Sequence, residues 1–198
     1  MTSNSIGYKL VLASTSPFRK VILDKLCLPF DTAAPNIDES PLRGEAPQEL
    51  VRRLAEAKAQ AVTGQFPEHL IIGSDQVAVV EGHILGKSGN YDKAHEQLSA
   101  CAGKVVTFFT GLCLYDSQQG HAQTALERFN VHFRVLTEPQ IHRYLIQEQP
   151  YQCAGSFKSE GLGIALFEKL DGDDPNTLMG LPLIRLLRFL ENKGVSPI

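Results

Sequence analysis

The chain has 198 residues, 43% of them hydrophobic and 21% charged, which is enough for one good-sized core or for two lobes sharing a single sheet. Lys+Arg 19 against Asp+Glu 22 leaves a net charge of −3, which argues against a broad basic face and so against stable nucleic-acid binding. A small polyanion remains within reach of such a protein, provided its few cations converge and a metal ion bridges carboxylate to phosphate.

Leu10 to Ala13 is a short apolar strand, followed by the hydroxyl-rich turn Ser14-Thr15-Ser16 and a helix with Pro17 at its first position. Ser16 can cap that helix, and Pro17 fits a first turn in which its missing N–H costs nothing. With Arg19 and Lys20 close by, the helix start is either a seat for phosphate or an ordinary capped strand-to-helix connection; the segment alone supports both. Pro29 to Ala34 forms a second strand, and the loop Pro35 to Pro47 carries Asp38 and Glu39. From Pro47 to about Gly64, Leu50, Val51, Leu54, Ala61 and Val62 recur at helical spacing. Lys58 lies on that same stripe, so it either snorkels to solvent or points into a cleft.

The apolar strand Leu70-Ile71-Ile72 is expected to end at Gly73-Ser74-Asp75-Gln76. A hairpin of Val77 to Val80 with His83 to Leu85 follows, closed by Gly86-Lys87. The pattern then predicts a helix from about Asp92 to Cys101 and two longer β runs, Val105 to Tyr115 and about Thr124 to Val135, joined by a turn at Ser117 to Gly120. Thr137-Glu138-Pro139-Gln140 opens a further helix in capping-box style, with Ile141, Tyr144 and Leu145 as its apolar face. The Gly-rich stretch Cys153 to Gly161 leads to a strand at Ile164 to Phe167, and Asp171 to Asp174 either bind metal or, the favoured reading, form a solvated loop leading into Pro175. Pro182 opens the last helix, which Gly194 ends. Strands and helices mix without simple βα alternation, so a mixed sheet with helices packed around it fits better than a doubly wound one.

Asp75 is the strongest catalytic candidate, because a carboxylate after a buried strand can hold a divalent metal or take a proton from an attacking water. The competing reading is a turn aspartate that caps its own backbone. Glu39 could share such a metal, and Lys58, Lys87 and Lys158 are candidate phosphate partners; a lysine beside glycine, as at 87 and 158, can equally decorate a solvated turn. The six histidines lack metal-like spacing, and His83 and His132 are expected in satisfied surface positions. No Gly-x-Ser-x-Gly elbow, Walker loop or dinucleotide fingerprint is present. The four cysteines lack Cys-x-x-Cys spacing, so buried free thiols in a reducing, cytoplasmic setting are expected rather than zinc or disulfides. No stretch reaches the ~18 apolar residues of a membrane span, and no signal-peptide pattern opens the chain.

Taken in order, Ala13-Ser14-Thr15-Ser16-Pro17-Phe18-Arg19, Asp38-Glu39, Lys58, Gly73-Ser74-Asp75-Gln76, Gly86-Lys87, Thr110-Gly111, the run Ala154 to Gly161 and Gly180-Leu181-Pro182 resemble the Maf family of nucleotide pyrophosphatases over nearly the whole chain. The resemblance implies one domain over residues 1–198, with two lobes around a central cleft. Its fold would be α/β, with a long mixed sheet flanked by helices as in inosine triphosphate pyrophosphatases. It also implies Mg²⁺- or Mn²⁺-dependent hydrolysis of a nucleoside triphosphate to the monophosphate and pyrophosphate. The family's proton acceptor falls on Asp75, and its phosphate and metal positions on Ser14, Arg19, Glu39, Lys58 and Lys87; Ser16 and Lys158 join the phosphate-binding candidates. Members are often dimers, which makes a homodimer an expectation.

Phe18, Gln76 and Glu160 resemble the branch that hydrolyses 7-methyl-GTP, where branches acting on dTTP and UTP usually carry Arg, Thr and Gln. Methylation at N7 makes guanine cationic, which favours an aromatic face such as Phe18. A glutamate can accept from the N1–H and N2–H₂ edge of guanine, whereas uracil and thymine offer one N–H between two carbonyls. The alternatives are a dTTP/UTP pyrophosphatase of the same family and a non-catalytic nucleotide-sensing regulator of cell division.

Overall fold

The first apolar run becomes strand β1 (Lys9–Ala13) in a computed structural model that describes residues 8–198. In chain order there follow α1 (Pro17–Asp24), β2 (Phe30–Ala33), α2 (Pro47–Ala61), β3 (His69–Val80), β4 (His83–Leu85), α3 (Tyr91–Cys101), β5 (Val105–Asp116), β6 (His121–Phe133), α4 (Glu138–Glu148), a 3₁₀ turn at Leu162–Leu166, β7 (Phe167–Asp171), α5 (Pro175–Leu178) and α6 (Leu183–Glu191). Among the described residues the sheet has seven strands, in the order β2-β1-β3-β5-β6-β7 with β4 paired to β3. It is mixed: β1 runs parallel to β2 and β3, with Leu10 opposite Phe30 and Leu70, while β3–β4 and β6–β7 are antiparallel.

The chain divides into two compact units, one built from the chain up to Gln76, Thr110–Glu127 and Asp174–Ile198, the other from Val77–Phe109 and Arg128–Asp173. In the first unit the sheet is covered on both faces, as the period of two along its strands requires. Leu10 and Leu12, Leu70 and Ile72, and Leu112 and Leu114 pack with Ile22 and Leu23 of α1 and Leu186 and Leu190 of α6. The alternate residues Val11, Ala13, Ile71 and Cys113 pack with Ala55 and Ala59 of α2 and with Val62. The second unit centres on Phe157, whose ring meets those of Phe108, Phe133 and Phe167 edge-on at 4.9–5.5 Å between centroids.

Several expectations are corrected. β3 runs unbroken to Val80, so Asp75 lies inside a strand and not in a turn after it. Gly73 does not end the strand; it is the position where the sheet meets α2. The strand expected at Ile164–Phe167 is instead the 3₁₀ turn followed by β7, because Gly161 and Gly163 let the chain fold back, with the Gly163 N–H donating to the Lys158 carbonyl. Asp174 is no solvated loop residue: it is 5% exposed and its carboxylate accepts from the Asn176 and Ile184 N–H groups. Gly194 does end α6 as expected: the last helical residue is Glu191, and the chain closes in a Schellman turn with Gly194 left-handed, its N–H donating to the Glu191 carbonyl and the Val195 N–H to the Leu190 carbonyl. Cys27 is exposed in a left-handed turn, while burial pushes the Cys101 and Cys113 thiols up to about 12. His132 is not a satisfied surface residue either, since its Nε2 is enclosed without a hydrogen-bond partner. Among the described residues, no helix is long and apolar enough to cross a membrane.

Candidate active site

The turn after β1 is closed by its own hydroxyls. Ser14 Oγ accepts from the Ser16 N–H at 3.1 Å, and Ser16 Oγ caps α1 by accepting from the Arg19 N–H at 3.4 Å. The Arg19 side chain folds back over this turn, with Nη1 3.5 Å from Ser14 Oγ and Nε donating to the Gly180 carbonyl at 2.8 Å. A guanidinium is thereby fixed beside a helix start, the arrangement an anion needs. Lys20 is exposed.

Alternation along β3 decides the next part. Ile71, Gly73 and Asp75 fall on the face covered by α2, and Ser74 and Gln76 on the other. A Cβ at Gly73 would collide with the Ala55 carbonyl, and one at Gly111 of β5 with the Val51 carbonyl, so the two glycines let α2 lie directly on the sheet. This close approach brings Lys58, 5% exposed, onto Asp75, 7% exposed. Lys58 Nζ stands 2.6 Å from Asp75 Oδ1 and 2.9 Å from Glu39 Oε1, bridging a buried carboxylate and a half-exposed one. Burial raises the Asp75 pKa above the ordinary aspartate value; the charges of Lys58 and Arg19 offset this in part, and Glu39 adds to it. Burial likewise lowers the Arg19 pKa, against the charges of Asp75 and Glu39.

The loop bearing Glu39 is pinned from α2. Arg53 forks onto Glu45 at 2.6 and 2.8 Å and donates to the Ser40 carbonyl at 3.1 Å. The side-chain hydrogen bond from Arg53 holds the Glu45 pKa down to about 2. Asp38 turns onto Ser40, whose side chain first and then its N–H, at 2.9 Å, lower the Asp38 pKa, and Glu39 is the loop carboxylate on Lys58. Neither Arg53 nor Glu45 stands out by spacing; the pair becomes visible only once the loop is seen to fold back on α2.

On the opposite face of β3, Ser74 donates within reach of the Gly111 and Gly180 carbonyls, both at 2.9 Å. The Gly180 carbonyl that receives Ser74 is the one that receives Arg19, so the serine-rich turn and the Asp75 strand are tied through a single acceptor. Gln76 Nε2 donates to Thr110 Oγ1 at 2.8 Å and to the Thr177 carbonyl at 2.7 Å, so the amide NH₂ is engaged and the carbonyl end is what Gln76 can offer a ligand. Phe18 is 37% exposed on α1.

Ser14, Ser16, Arg19, Glu39, Lys58, Asp75 and Gln76 thus all belong to the first unit, as does Phe18. Lys87, Lys158 and Glu160 belong to the second. Lys87 is exposed and bridges to Ala154 through the backbone. The Lys158 ammonium is engaged by Glu148, donating to its carbonyl at 2.9 Å with its carboxylate at 3.3 Å. Glu160 is exposed, and Ser159 donates to it at 3.3 Å.

Among the described residues, no group of three or more His, Cys, Asp or Glu side chains is placed to hold a metal. Glu39 and Asp75 around the Lys58 ammonium are the donor set present. Two carboxylates suit a Mg²⁺-type ion that completes its shell with phosphate oxygens and water, and not one caged by protein alone.

The sequence matches the family described as Maf-like protein over residues 9–193. It is 57% identical over 190 residues to the 7-methyl-GTP pyrophosphatase of Vibrio vulnificus, covering 96% of this chain and 97% of that one. It is 59% identical over 187 residues to the 7-methyl-GTP pyrophosphatase of Colwellia psychrerythraea, covering 94% of each. Among solved structures, the Staphylococcus aureus Ham1 protein matches with a TM-score of 0.52 at 12% identity, over 93% of this chain and 99% of that one, a likeness of fold alone.

Proposed function

The chain belongs to the Maf family, and from that premise we propose that it is a nucleoside triphosphate pyrophosphatase hydrolysing 7-methyl-GTP to the monophosphate and pyrophosphate. The observation that carries this reading is the buried Lys58–Asp75 pair with Glu39 at its rim and Arg19 tied in through Gly180. Two cations and two carboxylates in one place suit a bound triphosphate far better than a structural core, where such charges cost desolvation without return.

In this reading Arg19, Ser14 and the capped turn receive phosphate oxygens, Lys58 adds its ammonium, and Ser16 keeps the turn in shape. Lys87 is proposed as a further phosphate contact. A divalent cation, Mg²⁺ or Mn²⁺, held by Glu39 and Asp75, would supply charge neutralisation on the phosphates. Asp75 orients a water and takes its proton as the water oxygen bonds to the α-phosphorus. The bond from that phosphorus to the bridging oxygen breaks, and pyrophosphate leaves. Burial suits Asp75 to this task, because a raised pKa makes its carboxylate the stronger base.

Base selection rests on three residues. Phe18 offers an exposed ring for a cationic purine, Gln76 an acceptor, and Glu160 a carboxylate for the donor edge of guanine. Pyrophosphate release measured with Mg²⁺ across a nucleotide panel tests the proposal. The expected result is highest kcat/KM on 7-methyl-GTP. Higher turnover of UTP or dTTP would place the chain with the pyrimidine-specific enzymes, and release from none would leave a nucleotide sensor.

A further inference from the structure

The loop that carries Glu160 is fastened to α4 by two side chains, Tyr144 and, at the helix end, Glu148. The Glu148 carboxylate accepts from the Leu162 N–H at 2.8 Å through Oε2 and faces the Lys158 ammonium at 3.3 Å through Oε1. Lys158 donates in addition to the Glu148 carbonyl, at the C-terminal end of the helix where a cation is favoured. The carboxylate lies so close to Gly161 that a Cβ there would sit 2.9 Å from Oε2 and 3.0 Å from Oε1. The Lys158 N–H donates to the Tyr144 hydroxyl at 3.1 Å, and the Lys158 carbonyl accepts from the Gly161 and Gly163 N–H groups. Glu160 is thus held between anchored residues on either side, while its own side chain stays exposed and, among the described residues, only Ser159 donates to it.

We infer that Glu148 is a positioning residue for base selection: it fixes the 158–162 loop and keeps Lys158 occupied, so that the Glu160 carboxylate is left for the cationic guanine. The inference rests on the reading of Glu160 given above. Its physical content is a competition. Lys158 is two residues from Glu160, and an ammonium released by Glu148 becomes a rival for the carboxylate that the base needs. This also reassigns Lys158, a candidate phosphate partner by sequence, to holding the loop.

The experiment compares kcat/KM for 7-methyl-GTP and UTP in Glu148→Gln, in the double variant Glu148→Gln/Lys158→Met and in Glu160→Gln, with a thermal melt of each. Glu148→Gln is expected to lower the 7-methyl-GTP to UTP ratio about tenfold through KM for 7-methyl-GTP, the scale of one charge-assisted hydrogen bond. The double variant, with no ammonium to compete, is expected to recover most of that ratio. A residue that merely stabilises the fold would lower both substrates together and leave the ratio alone. An unchanged ratio in Glu148→Gln, or no recovery in the double variant, overturns the inference. If Glu160→Gln alone leaves the ratio unmoved, the base-recognition reading falls and this inference with it; if Glu160→Gln moves it and Glu148→Gln does not, only the inference falls. Should Glu148→Gln not fold, Glu148→Asp keeps the charge but withdraws it from the Leu162 N–H, and a ratio within experimental error of the parent's then overturns the inference.

Discussion

Lys58 is the residue on which the site turns. It sits on the apolar stripe of α2, 5% exposed, and its ammonium is shared by Asp75 and Glu39. Replacing it by Met would leave a buried carboxylate without its nearest cation, and uncompensated buried charge is strongly destabilising. Lys58→Met is therefore expected to lose pyrophosphate release and also to destabilise the protein, by about 3 kcal/mol in urea unfolding if Asp75 stays ionised. An unchanged unfolding midpoint would show that the buried pair adds no net stability. Helical spacing revealed the face on which Lys58 lies, but not the depth, since a snorkelling lysine and a buried one share the same periodicity. What settles the depth is Gly73, whose part in the sequence looked like the end of a strand.

At the scale of elements, the seating of α2 on β3 and β5 depends on two missing side chains. Gly73→Ala would drive a methyl group into the Ala55 carbonyl. The helix must move away, at a cost of about 1–3 kcal/mol or more, and Lys58 moves with it. Gly64→Ala, in open space just beyond the same helix, is the control. Unfolding midpoint and pyrophosphate release are expected to fall together in the first and to hold in the second. The loop from β2 to α2 has its own signature. Glu45 is held at about 2 in the folded protein against 4.5 when free, so it contributes stability above pH 4.5 that is lost as pH falls toward 2. Glu45→Gln is accordingly expected to melt below the parent at pH 7, with the gap closing under acid; a gap independent of pH would assign the loop's order to packing instead. Capping sequences made most helix starts legible: Pro17 after Ser16, Pro47, and Thr137 with Gln140 all open helices where expected. The failures came where tertiary contacts overrode local signals, in β3, which continues through a glycine, and at 162–166, where two glycines make a 3₁₀ turn of an apolar run that resembles a strand.

For the whole molecule, local pattern supported a mixed sheet with helices on its faces, but the order β2-β1-β3-β5-β6-β7 depends on pairings between distant segments that no window of sequence displays. The same holds for the site. Glu39, Lys58 and Asp75 could each be named from residue type and position; Ser14 came with the resemblance to a family pattern, which grouped all four. What the sequence could not display was the link through Gly180, which binds Arg19 and Ser74 from segments more than a hundred residues away. Chelation is expected to abolish activity and either Mg²⁺ or Mn²⁺ to restore it, because Glu39 and Asp75 leave most of a cation's shell to substrate and water. Activity that survives exhaustive chelation would remove the metal from the scheme.

The most direct measurement pairs calorimetric binding of 7-methyl-GTP with pyrophosphate release in Asp75→Asn. The account expects binding within about threefold of the parent and turnover reduced about a thousandfold, the scale of a lost general base. Asp75→Asn that releases pyrophosphate at the parental rate would contradict it.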